Sequence, residues 1–63
     1  MPDKIVVTAE RLYKQWMQRY YLQLTCEVNG NRYSFDALTN EGATVMCNQL
    51  LGAGNWELRG DTL

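Results

Sequence analysis

Seven carboxylates (Asp3, Glu10, Glu27, Asp36, Glu41, Glu57 and Asp61) and two cysteines (Cys26 and Cys47) are the side chains in this chain that could do acid–base, metal or thiol chemistry. No histidine accompanies them, so the commonest general base and triad partner is missing. The carboxylates are scattered and none shows a metal-loop spacing, which makes them solvated surface charges on this reading. Two cysteines without histidine also fall short of the common zinc sets and of a disulfide framework. A reactive thiolate needs a helix N-terminus or a cationic neighbour, and neither cysteine has one in the pattern below, so both read as buried, inert thiols. The glycines match no phosphate-binding fingerprint. The expectation is a protein that is not an enzyme, with no catalytic residue, cofactor or metal.

Two short motifs point to binding. Arg59-Gly60-Asp61 spells the integrin-binding tripeptide, but without its structural context it carries little weight, and residues 60–63 are expected to fray. Arg32-Tyr33-Ser34-Phe35 has the look of an RNA-recognition strand yet lacks the flanking glycines. Lys4, Arg11, Lys14 and Arg19 against Asp3 and Glu10 make the first 26 residues basic, while the remainder is acidic and the whole carries −1. Phosphate binding asks for a stronger basic footprint.

The elements that position these residues start from Asn29-Gly30. This dipeptide lies between the alternating runs YYLQLTCEV and NRYSFDAL and signals a type I′ hairpin. The turn places Val28 opposite Asn31. It follows that Cys26 meets Tyr33, Leu24 meets Phe35 and Leu22 meets Ala37 on an apolar face. Glu27–Arg32, Thr25–Ser34 and Gln23–Asp36 make the polar face.

Upstream, the β-branched run in Lys4–Val7 predicts a short strand. Ala9, Leu12, Tyr13, Trp16, Met17 and Tyr20 then share one face at a helical period, with Thr8 as cap and Glu10–Lys14 as an i,i+4 pair. No Gly, Pro, Asn or Asp separates this helix from the strand near Tyr20. Either the helix ends around Gln18 or the whole stretch is a long bent strand. Downstream, Thr39 or Asp36 caps a helix running through Leu51, with Ala43, Met46, Cys47, Leu50 and Leu51 facing the core. Gly52 ends it, and Asn55–Arg59 closes the sheet as a strand.

The expected fold is therefore α+β over 1–63, one domain. An antiparallel sheet carries two helices on one face in the order βαββαβ, a miniature ferredoxin-like layout. The alternative is αββαβ with a three-stranded sheet, in which the first segment is not a strand. Sixty-three residues bury little core, and without disulfide or metal a homodimer or a constant partner is the remaining support. The proposed sheet leaves open edges for such pairing. No signal peptide, membrane span or glycosylation site is apparent, so the expected setting is cytoplasmic, with reduced thiols.

Aromatics exceed what so small a core encloses. Tyr13, Trp16, Tyr21 and Trp56 are the expected partner-binding residues, with Tyr21 pointing away from the hairpin's apolar face. The expectation is a small non-catalytic protein-binding module, an inhibitor or adaptor of another protein. In size and style it resembles the accessory proteins of phages and other mobile elements. The alternative is a nucleic-acid-binding regulator using Arg11, Lys14 and Arg19 on the first helix.

Overall fold

The computed structural model describes residues 4–63; residues 1–3, with Asp3 of the charge balance among them, lie outside the described part. Strands β1 (Ile5–Lys14), β2 (Arg19–Val28) and β3 (Asn31–Ala37) precede helix α1 (Asn40–Leu51) and strand β4 (Trp56–Gly60). The strands form one four-stranded sheet in the order β3-β2-β1-β4. β1–β2 and β2–β3 are antiparallel, whereas β4 runs parallel to β1. The class is α+β, with a mixed sheet and one helix among the described residues.

The Asn29-Gly30 turn dictates the β2–β3 register. Asn29 (φ 53°) and Gly30 (φ 80°) both take the positive φ that a type I′ turn requires. Every pair expected from it is present, from Val28–Asn31 to Leu22–Ala37. Leu22, Leu24 and Cys26 consequently lie under the helix, fully or nearly buried, each large side chain contributing about 1.5–3 kcal/mol. Val7, Ala9, Ala37, Ala43 and Cys47 complete the core. Tyr33 shares the apolar face but stays half exposed, because β3 is an edge strand.

Helix α1 follows its sequence signals closely. Thr39 is the cap: its backbone is extended and its Oγ1 accepts the Gly42 N–H at 2.9 Å. Ala43 and Cys47, one turn apart, point into the sheet, while Met46 and Leu51 pack at the margin. Leu50 departs from the expected core stripe and is 62% exposed, lining an open groove beside β3 where the sheet ends. Gly52 (φ 90°) closes the helix by donating its N–H to the Asn48 carbonyl.

The first expected helix is absent, and with it both the βαββαβ order and the αββαβ alternative. Ala9–Lys14 continues β1, Gln15–Gln18 is a turn, and Tyr20 already belongs to β2. Thr8 is a strand residue and caps nothing. Lys14 does not pair with Glu10 but reaches Asp36 at 3.7 Å. Only the end of that stretch has a helical counterpart. Met17 N–H bonds to the Lys14 carbonyl and Gln18 N–H to the Gln15 carbonyl, both at 3.2 Å, so the chain makes a single helix-like turn. Gln18 then reverses it at φ 52°.

The expected fraying after Gly60 is also overturned. Asp61 N–H donates to the Ala9 carbonyl at 3.0 Å, and its Oδ2 accepts the Arg11 N–H at 2.9 Å. Asn40 clasps Leu63 reciprocally, each bond 3.0 Å long: its side-chain NH2 donates to the Leu63 carbonyl and its Oδ1 accepts the Leu63 N–H. The Arg-Gly-Asp tripeptide thus lies at a sheet edge, with its aspartate engaged internally and Arg59 paired to Glu57 at 3.1 Å.

Candidate functional site: a projecting β arm

β3 reaches along β2 only as far as Leu22, and β4 reaches along β1 only to Ala9. Beyond those points, Leu12–Lys14 and Arg19–Tyr21 pair only with each other, and Arg11 pairs with Leu22 at their root. The result is a two-stranded arm on an elongated molecule of 42 × 22 × 18 Å. Between residues 11 and 21 there are three cations and no acid, so the arm is basic while the rest of the chain is acidic.

Each face of the arm stacks aromatics with cations. On the helix side, Tyr13 and Tyr20 are directly paired, with rings edge to face, 5.1 Å apart and inclined 61°. The Arg11 guanidinium stands 5.6 Å from the Tyr20 ring centre. On the other side Leu12 pairs with Tyr21. Lys14 lies 4.6 Å from the Tyr21 ring centre and 5.9 Å from that of Trp16 on its way to Asp36. Trp16, in the turn, is 80% exposed, and Tyr13 and Tyr20 are each more than half exposed.

Of the expected partner-binding residues, the arm therefore unites Tyr13, Trp16 and Tyr21. Trp56 is elsewhere. It pairs with Ile5 at the other end of β1, roughly 30 Å from Lys14 by strand rise. Its indole N–H donates to Asn48 Oδ1 at 2.9 Å, which makes it a strut between β4 and α1. Tyr21 is half-buried under Lys14 instead of presenting a free ring. Tyr20 takes that place, although its spacing fits the core stripe of the expected helix; strand alternation back from Leu24 and Leu22 puts it on the helix side, where Tyr13 also lies.

Arg11, Lys14 and Arg19 also converge here, on strands and not on a helix face. Each is already engaged within the chain: Lys14 with Asp36, Arg19 with the Leu38 carbonyl at 3.4 Å, and Arg11 near the Thr62 carbonyl at 3.5 Å. At the arm's base Arg11, Arg19, Tyr20, Leu38 and Leu63 surround a shallow cavity of about 520 Å³.

The remaining chemistry-bearing groups lie away from the arm. Cys26 and Cys47 are free and buried between sheet and helix. Burial pushes both thiols above their ordinary value, and the neighbouring Cys26 raises Cys47 further, so the nucleophilic thiolate is disfavoured at both. Among the described residues no three His, Cys, Asp or Glu side chains gather as metal ligands, and no helix is long and apolar enough to cross a membrane. Comparison with protein-family models, curated proteins and solved structures gives no match.

Proposed function

We propose that this chain is a non-catalytic protein-binding module that acts by occupying a surface on another protein, as an inhibitor or adaptor, with the β1–β2 arm as its contact element. The observation that carries this reading is Trp16, exposed at the tip of an arm whose flanks present Tyr13 and Tyr20. Trp, Tyr and Arg are the residue types that dominate the centres of protein interfaces, since a rigid ring buries much apolar area at little entropic cost. The arm is also stiffened before it binds, by the Tyr13–Tyr20 contact and by Lys14 laid across Tyr21.

A second reading is supported by the acid-free run from Arg11 to Tyr21. A basic two-stranded ribbon fits a DNA major groove, and exposed rings can stack on single-stranded bases. Against it stand the net charge of −1 and the engagement of all three arm cations inside the chain.

Salt and one substitution separate the two. Wild-type and Trp16→Ala chains are used as baits in lysate of the source cell, and Trp fluorescence is titrated with single-stranded and duplex oligonucleotides. The expected result is a protein held by wild type, lost from Trp16→Ala, and retained as ionic strength rises. Oligonucleotide quenching that falls steeply with salt, with no protein held differentially, would overturn the proposal in favour of phosphate binding.

A further inference from the structure

The outer edge of β3 carries a self-complementary pattern. The type I′ turn closes with a bond between Val28 and Asn31, so that pair is of the hydrogen-bonded kind and the kinds alternate from there. Asn31, Tyr33, Phe35 and Ala37 therefore spend their backbone groups on β2. Arg32, Ser34 and Asp36 point theirs outward, where no strand of the described residues lies. Two of the usual protections of an edge are missing: β3 has no proline, and its register runs without a bulge, while its charges Arg32 and Asp36 are of opposite sign.

Ser34 is the middle residue of this strand, with Arg32 two positions before it and Asp36 two after. An antiparallel copy centred on Ser34 therefore sets Arg32 against Asp36 twice over, on the face away from the helix. The same register sets Tyr33 against Phe35 twice on the helix face. There the apolar groove of about 220 Å³, lined by Cys26, Val28, Tyr33, Phe35, Leu50 and Leu51, is open, and the exposed Leu50 stands at its rim.

We propose that β3 is a homodimerisation edge, pairing antiparallel with β3 of a second copy about a two-fold axis at Ser34, so that Arg32 faces the partner's Asp36. Every outward backbone group of Arg32, Ser34 and Asp36 then finds a partner, since directly opposed residues of this kind exchange both bonds. The two sheets join into one, with both helices on the same side and the two grooves merged over the paired Tyr33 and Phe35 rings. Asp36 can serve both contacts: Lys14 takes Oδ2, and its side chain remains about half exposed. The occupant is a second copy because charge and ring patterns both match under the same two-fold, as an isologous interface demands.

Sedimentation equilibrium at micromolar concentration tests this. Wild type is expected at twice the chain mass. Ser34→Pro removes an outward N–H that β2 does not use, so it should keep the circular dichroism spectrum of the folded chain and sediment at the chain mass. Arg32→Glu alone and Asp36→Arg alone each oppose like charges at both contacts and should be monomeric. Their equimolar mixture restores opposite charges at both and should recover the dimer, which decides the register even if the proline variant fails to fold. Trp16→Ala should remain dimeric, separating this edge from the arm. A monomeric wild type, a folded Ser34→Pro dimer, or a mixture that stays monomeric would each overturn the proposal.

Discussion

Replacing Gly60 with alanine tests how the far edge of the sheet is locked to β1. Gly60 sits at φ 107°, outside the region open to other residues, and a Cβ there would run into the Ala9 carbonyl oxygen. Holding alanine in such a conformation costs about 1–3 kcal/mol before any overlap is counted. The overlap is relieved only by lifting the strand end off β1. That gives up the Asp61–Ala9 backbone bond, about 1 kcal/mol, and the Arg11 N–H bond to the Asp61 carboxylate, about 1.5–3 kcal/mol. By either route the loss is about 2–4 kcal/mol, against a total of about 3–9 kcal/mol for a domain of this length. Gly54 provides the control. It too has positive φ (84°), but no atom of the described residues lies within 4 Å of its added Cβ, so Gly54→Ala should cost only about 1 kcal/mol. Urea unfolding at fixed protein concentration gives both values, and hydrogen exchange at the Arg11 amide shows whether the tail has come away. Equal midpoints for the two variants would refute the reasoning, because then the contact with Ala9 contributes nothing beyond backbone strain.

Other expectations follow from single side chains. Trp16→Ala should shift stability by less than about 0.5 kcal/mol, as an exposed turn residue does, while abolishing partner capture. Thr39→Ala removes the acceptor of the Gly42 N–H and should cost about 1 kcal/mol, read as a lower urea midpoint. Because folding raises both thiol pKa values, the unfolded chain gives up those protons first; stability should hold below the ordinary thiol value of 9.0 and fall as pH climbs through the folded values. That decline should flatten in a Cys26→Val/Cys47→Ala chain, which should still bind through the arm. In native wild type, thiol reagents should react only on unfolding.

The β2–β3 hairpin could be read from sequence to the residue because its turn leaves no slack: two positions of positive φ fix one register, and one slip would expose Leu22 and Leu24. Helix α1 was equally plain, since Thr39, the Ala43–Cys47 spacing and Gly52 are local signals that agree. β1 was not. Its outer half leaves the core, so burial no longer enforces alternation there, and Arg11 occupies an inward register position where Val7 and Ala9 carry apolar groups. The Gln15–Gln18 turn compounds the difficulty, because Gln18 takes positive φ without being Gly, Asn or Asp. The same overhang explains the candidate site. Tyr13 and Trp16 looked like a helix stripe because a wet ribbon imposes no period of its own, and Trp56 looked like a contact because its bond to Asn48 is invisible in sequence.

The parallel pairing of β4 with β1 also sets an order of events. Both antiparallel hairpins join neighbours in sequence and can zip within microseconds, and α1 can form as early. Ile5 and Trp56, by contrast, are separated by about 50 residues, and closing that loop is rewarded only once the helix has crossed the sheet. Until then β1 has one bare side and Val7 lacks its cover. A chain of this topology should therefore fold through a three-stranded meander whose rate-limiting step is the docking of its last strand. Substitutions at Trp56 or Leu58 should then slow folding, whereas Trp16→Ala, which leaves stability nearly unchanged, should leave the rate unchanged.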